Sequence, residues 1–362
     1  MVLAHEWILS ASGSDKVAAE ITRCFDPEND EVIVVTAAAD PAIAAALFPH
    51  CEVRTLWTNQ LPGVERHWKH YAPALLAAWS TARMPKADLL VSSSHFAAKA
   101  AGARFDGPHV NYCHTPLRYA WRPDLEGDRL TGVAATVGSA LRPALRRWDR
   151  WSARSVDTFV ANSQSIASRI RDAYDRPSVV VHPPVDVERF AAVRRAENPS
   201  HYLCFGRLVG YKRVDLAVKV CTAAGLPLVV AGSGPELPRL RAMAGPSVVF
   251  EEEVSDARHL ELLVDSIALL FPGEEDFGIV PVEAMAAGVP VVAFGRGGAL
   301  DTVIEGVTGV LFNEQSVGSL ADAVERIGRS TFEWDKLGAH AATFGSPRFR
   351  SEMRLLMRRC DR

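Results

Sequence analysis

The chain has 362 residues, 48% of them hydrophobic and 23% charged, with a net charge of −3. That exceeds one typical domain, so two are expected. The charge balance offers no basis for a nucleic-acid partner, and no apolar run approaches the ~18 residues that span a bilayer. The six cysteines show no paired spacing, so neither a zinc site nor a disulfide framework follows, and a reducing cytoplasm suits them. The opening Met-Val-Leu-Ala-His-Glu-Trp lacks the pattern of a signal peptide.

Short β-branched runs alternate with alanine-rich stretches of helical character. Strands are expected at 31–36, 89–92, 109–113, 158–161 and 178–182, with helices between them. Pro183-Pro184-Val185-Asp186 breaks the pattern, and 183–200 reads as a connection. The alternation then resumes. Strands are expected at 201–205, 228–231, 248–250, 267–271, 289–294 and 310–312. Helices are expected at 214–224, from Pro235, at 260–264 and at 319–327. The fold class expected is α/β: two doubly wound, Rossmann-like domains facing across a cleft. They span 1–182 and 183–346, and a basic helix at 347–362 returns to the first.

Ligands of such sheets bind at the carboxyl ends of strands, so the strand-end loops carry the candidate chemistry. In Ser10-Ala11-Ser12-Gly13-Ser14-Asp15-Lys16, Gly13 permits close backbone approach to a phosphate or an acceptor, and a plain turn explains it nearly as well. The strand 109–113 delivers His114 to its carboxyl end, where it can bond a sugar hydroxyl, pass a proton, or simply hold a loop. Residues 141–154 form a basic amphipathic helix. It suits an anionic membrane surface or packing on its own domain, and packing is the expectation.

Phe205-Gly206-Arg207-Leu208-Val209-Gly210-Tyr211-Lys212 places two cations, Arg207 and Lys212, on a strand-to-helix loop. There they can neutralise a diphosphate as negative charge grows on it. The most informative stretch is 272–290. Pro281 and Gly288 bound a short helix starting near Ile279, with Glu275 on the loop before it and Glu283 one turn inside. A helix N-terminus attracts phosphate. Carboxylates repel phosphate and accept hydrogen bonds from hydroxyls, so a nucleotide sugar fits both features. Gly298, at the end of the next strand, can turn an N–H toward a phosphate or merely permit a tight turn.

Glu275 and Glu283 eight positions apart and the Gly206-Arg-Leu…Lys212-Arg-Val-Asp-Leu-Ala217 element resemble the retaining glycosyltransferases of family 4, which have the GT-B fold. The resemblance covers most of the chain. His114-Thr-Pro-Leu-Arg-Tyr-Ala-Trp121, Ala161-Asn-Ser163, His182-Pro-Pro-Val-Asp186, the run from Glu274 to Glu283 and Gly295-Arg-Gly-Gly298 resemble a narrower group, the GDP-mannose-dependent mannosyltransferases of O-antigen and exopolysaccharide assembly. The resemblance implies that Arg207 and Lys212 hold the diphosphate, Glu275 binds sugar hydroxyls and Glu283 the ribose. It also implies that the N–H groups of Phe277, Gly278 and Ile279 contact sugar and phosphate, and that His114 faces the sugar. Two loops depart from that group: Ala11-Ser-Gly-Ser-Asp-Lys16 has fewer glycines and Asp in place of Glu, and Glu251-Glu252-Glu253 lacks a glycine.

The expectation is a cytoplasmic mannosyltransferase with no metal and no other cofactor. Its donor is GDP-mannose, and its acceptor a saccharide, a lipid-linked saccharide or a natural product. Peripheral contact with the inner membrane face is a secondary expectation. A sugar-nucleotide epimerase, a glycosyl phosphorylase and a non-catalytic sugar-nucleotide-binding subunit are the alternatives. A dehydrogenase is disfavoured, because no strand precedes Gly-x-Gly-x-x-Gly.

Overall fold

The structure, a computed structural model, describes residues 1–125, 133–193 and 195–360. It divides into two compact units, Met1–Pro183 with Pro347–Arg362, and Pro184–Ser346.

The first unit is built on seven strands: β1 (Val2–His5), β2 (Ile33–Thr36), β3 (Glu52–Thr55), β4 (Leu90–Ser94), β5 (His109–Cys113), β6 (Thr158–Ala161) and β7 (Ser178–Val180). Their order is β3-β2-β1-β4-β5-β6-β7, and every pairing is parallel. Successive side chains of a strand point to opposite faces. Accordingly Leu3 joins one buried cluster with Val34, Val91 and Tyr112, while Val2 and Ala4 join another with Leu90 and Trp79. The helix Ser346–Cys360 packs on the Leu3 face through Phe349, Met353 and Met357. Arg350 pairs with Glu20, and Arg354 donates to the carbonyls of Cys24 and Arg23.

The second unit has six strands: β8 (His201–Phe205), β9 (Leu228–Ala231), β10 (Val248–Glu251), β11 (Ser266–Phe271), β12 (Val291–Phe294) and β13 (Gly309–Phe312). The order is β10-β9-β8-β11-β12-β13, again all parallel. Tyr202 and Cys204 pack on one face and Leu203 on the other.

Most elements stand where hydrophobic patterning puts them, and the differences have local causes. β3 has no apolar signature because it is an edge strand with three exposed residues, Glu52, Arg54 and Thr55. The helix expected from Pro235 begins at Leu237, because Gly234 is pressed against the backbone of Leu208. The strand expected from Val289 begins at Val291, after Pro290, which has no N–H to give the ladder. Residues 361 and 362 of the expected C-terminal helix lie outside the described residues. No described helix is long and apolar enough to cross a membrane.

Candidate donor and sugar site

In each sheet the strand order reverses once, between β1 and β4 and between β8 and β11. Loops leaving the carboxyl ends of two such neighbours diverge to opposite faces and leave a crevice. The expected site residues of the second unit fall at its reversal, except Gly298, which follows β12.

β8 ends at Phe205, and Gly206 turns the chain at φ 126°. A short 3₁₀ turn, Gly210–Lys212, then leads into the helix Val214–Ala224. β11 ends at Phe271, and the chain passes Gly273 and Gly278 (φ 89°) into the helix Ile279–Ala286. These two loops touch: a Cβ on Gly273 would lie 2.6 Å from Lys212 Cα. The close approach brings Lys212 Nζ to 2.8 Å from Glu275 Oε1, with both side chains about four-fifths buried. Burial works against the ammonium, but the Glu275 carboxylate and Tyr211 together outweigh it, and the Lys212 pKa lies above its ordinary value. Arg207 is exposed on the same loop, and its charge acts on Lys212 in the opposite sense.

Phe277 is buried and packs edge-on against Phe344, which anchors the loop from below. Gly278 caps the helix, Ile279 is its first residue, and Glu283 lies one turn in, partly buried. The N–H of Gly298 donates to Glu275 O at 2.8 Å. A Cβ on Gly298 would sit 2.2 Å from the backbone of Phe277. The option of a phosphate-facing N–H at Gly298 is therefore corrected. The glycine permits one loop to brace another, because any side chain there would displace the Glu275–Gly278 turn.

In the first unit His114 follows β5 and lies beside the end of β4. Its Nε2 is 2.8 Å from Ser93 Oγ. Ser93 Oγ is 3.1 Å from His5 Nδ1, and His5 Nε2 is 2.9 Å from Asp15 Oδ1. Burial, then the imidazoles of His95 and His5, hold the His114 pKa well below its usual value, so the ring is neutral at pH 7. Gly13 is the first residue of the helix Gly13–Thr22 and is not among the described glycines with positive φ. Asp15, two residues further into that helix, reaches His5 with its carboxylate.

His5, Asp15 and Ser93 were not singled out from the sequence. The one available signal was the run Ser92-Ser93-Ser94 in a strand that is wholly buried, since buried hydroxyls need partners. Glu6 was also passed over. Its Oε1 accepts from the N–H groups of His95, Phe96, Ala97 and Ala98, which pins the loop after β4.

The basic helix Val133–Ser152 packs through Leu145 and Trp148 on the Val2 face of the sheet. Arg146 and Arg150 lie over the ring of Trp121, each 5.0 Å away.

Comparison with known proteins agrees with this architecture. The family model "Glycosyltransferase Family 4" matches residues 11–189, and "Glycosyl transferases group 1" matches 185–340. The glycogen synthase of Mycobacterium tuberculosis is 28% identical over 355 residues, 88% of this chain and 79% of that protein. The GDP-mannose-dependent alpha-(1-6)-phosphatidylinositol monomannoside mannosyltransferase of the same organism is 30% identical over 255 residues, 58% of this chain and 66% of that one. Among solved structures, HepE of Anabaena in complex with UDP and glucose superposes with a TM-score of 0.70 at 18% identity, covering 99% of both chains. The sucrose-phosphate synthase of Thermosynechococcus elongatus gives 0.70 at 18%, covering 99% of this chain and 98% of that one. Two family matches that together run from residue 11 to residue 340, on a pair of parallel-sheet domains, make this chain a GT-B glycosyltransferase of group 1, family 4.

Proposed function

We propose that the protein transfers mannose from GDP-mannose to an acceptor hydroxyl with retention of anomeric configuration. The observation that carries this reading is the largely buried Lys212–Glu275 pair beside Arg207, next to the N-terminus of the helix Ile279–Ala286. It sets cations for a diphosphate and a carboxylate for hydroxyls within one small region. The mannosyltransferase relative and the sequence motifs support mannose.

In this reading the bond between C1 and the phosphate oxygen breaks first, with oxocarbenium character. Arg207 and Lys212 stabilise the charge growing on the leaving diphosphate and take the part a metal would otherwise play. The leaving phosphate oxygen accepts the proton of the attacking acceptor hydroxyl on the same face, and the new bond forms from that hydroxyl oxygen to C1. Glu275 orients the transferred sugar and Glu283 the ribose, with N–H groups at Phe277, Gly278 and Ile279 near the phosphate. His114 contacts a hydroxyl of the sugar substrate. No covalent nucleophile is required, so the rate comes from orientation and electrostatics.

A second donor reading, a UDP-sugar, is favoured by the UDP and UDP-glucose complexes of HepE. Thermal shift with GDP-, UDP- and ADP-sugars separates the two. GDP-mannose is expected to give the largest rise in melting temperature, and a response to UDP-glucose alone replaces the donor assignment. Product NMR showing an inverted anomeric centre overturns retention.

A further inference from the structure

We propose that Asp15, His5 and Ser93 are positioning residues that lock His114 as its Nε2–H tautomer, so that Nδ1 offers a lone pair to a substrate hydroxyl. The inference rests on the reading of His114 as a sugar-hydroxyl contact and adds three residues to it. The direction of the relay follows from its fixed end at Asp15 and a single proton on His5.

Asp15 Oδ2 lies 2.9 Å from the backbone N of Ser12, which can only donate, and 2.9 Å from Ser12 Oγ. Asp15 is the third residue of the helix Gly13–Thr22, where the helix dipole favours a carboxylate. A carboxylate only accepts, so at 2.9 Å from Asp15 Oδ1 the His5 Nε2 carries a proton. In the proposed relay His5 carries that one proton, so its Nδ1 takes the proton of Ser93 Oγ at 3.1 Å. With its proton committed, Ser93 Oγ can only accept from the ring nitrogen 2.8 Å away, so His114 Nε2 donates. With a single proton on His5, the opposite polarity would set its lone pair against a carboxylate oxygen.

Asp15, His5 and Ser93 are each at most 1% exposed, so water cannot substitute for a link. His114 is partly exposed, and among the described residues no hydrogen bond is made to its Nδ1. The ring is further held by the edge of Tyr112, 5.2 Å between centroids. The relay joins the helix Gly13–Thr22 to the ends of β1, β4 and β5, so the free ring nitrogen of His114 is set by a residue at the head of that helix.

The substitution Asp15→Asn tests the polarity. The amide must keep its oxygen toward the Ser12 N–H, which turns its NH₂ toward His5 Nε2. Each link then reverses, and His114 becomes the Nδ1–H tautomer. In hydrolase triads an acid-to-amide exchange of this kind fixes the wrong tautomer and is severely damaging.

The experiment uses full-length protein with ¹⁵N-labelled histidine, read by long-range ¹H–¹⁵N NMR at pH 7.5 without substrate, with His114 assigned from His114→Gln. The expected result is Nε2–H at His114 in the wild type and Nδ1–H in Asp15→Asn. Turnover of the nucleotide sugar used best in the donor panel should fall about 10- to 100-fold in Asp15→Asn, the loss expected for one hydrogen bond to a developing charge. Asp15→Glu, which keeps a carboxylate, retains more activity than Asp15→Asn.

An Nδ1–H wild type, or an unchanged tautomer in Asp15→Asn, overturns the relay. A reversed tautomer with turnover within twofold of wild type overturns its part in transfer while leaving the glycosyltransferase reading intact. If Asp15→Asn does not fold, Ser93→Ala serves: a mixture of tautomers at His114 supports the relay, and pure Nε2–H overturns it. Because the NMR measurement needs no donor, failure of every nucleotide sugar counts against the donor reading alone.

Discussion

Lys212 Nζ and Glu275 Oε1 stand 2.8 Å apart and tie the loop after β8 to the loop after β11. The two charges neutralise each other across that contact. Both side chains are about one-fifth exposed, so each also protects the other from being an isolated, partly buried charge.

Replacing Lys212 by Ala is expected to lower kcat by about 10²-fold, the scale for losing one preset charge-stabilising group, with a smaller change in donor KM. Steady-state kinetics at saturating donor reads this. Near-normal kcat removes Lys212 from the leaving-group role. Glu275→Gln keeps the shape and loses the ion pair, and should cost at least about tenfold in turnover.

Gly298 offers a purely steric test. A Cβ there lies 2.2 Å from Phe277 Cα and O, backbone atoms that move only with their whole loop. Gly298→Ala should destabilise the protein by about 1–3 kcal/mol, and the same shift weakens donor binding. Gly318 is the control: it lies in the helix Val317–Arg329, and a Cβ added there would meet nothing within 4 Å. Gly318→Ala should stabilise by up to about 1 kcal/mol. Urea unfolding and donor titration of both variants decide it.

Stability should fall as pH drops from 7.5 to 5. His109 is buried, with Nε2 2.7 Å from Ser92 Oγ and Nδ1 3.0 Å from Ser155 O, the partners of a neutral ring. Burial lowers its pKa to about 4. Between the unfolded value near 6.5 and the folded value the unfolded chain binds the extra proton, so acid favours unfolding there. This group's share is about 2 kcal/mol at pH 5 and almost nothing at pH 7.5. Urea unfolding of the wild type should lose that much more than His109→Gln over the same interval, and equal losses would refute the assignment.

Lys99 and Asp149 form a buried ion pair at 2.5 Å, with side chains 2% and 0% exposed. Trp121 Nε1 and Tyr174 Oη donate to the second carboxylate oxygen at 2.7 and 2.8 Å. Asp149→Ala strands the ammonium and should cost about 3–5 kcal/mol, while pairing Lys99→Met with Asp149→Leu recovers part of it. Calorimetric melting of the single and double variants measures the difference.

The C-terminal helix completes the core of the first unit rather than merely closing the chain. Phe349 is fully buried against Tyr112, and Met353 lies with it. Phe349→Ala should cost about 3–5 kcal/mol by leaving a cavity. A cost below about 1 kcal/mol in chemical unfolding would mean that the helix is dispensable.

The alternation of strand and helix and the two parallel sheets were legible along the chain. These rest on local physics: apolar runs for buried strands, Pro281 at a helix start, Gly206 and Gly278 at turns of positive φ. Even so, β3 stayed hidden because an exposed edge strand carries no apolar signature.

Which side chains meet depends on the order of the strands in each sheet. Lys212 and Glu275 come together because β8 and β11 are neighbours in the sheet and Gly273 lets their loops touch. Gly298 proved to be occupied by Glu275 O rather than offered to a ligand. Asp15, His5, Ser93 and His114 are joined by the order β1-β4-β5, which no spacing along the chain encodes. Hydrophobic periodicity reports on one residue's surroundings at a time, whereas a hydrogen-bonded relay is a property of strands that the chain visits far apart.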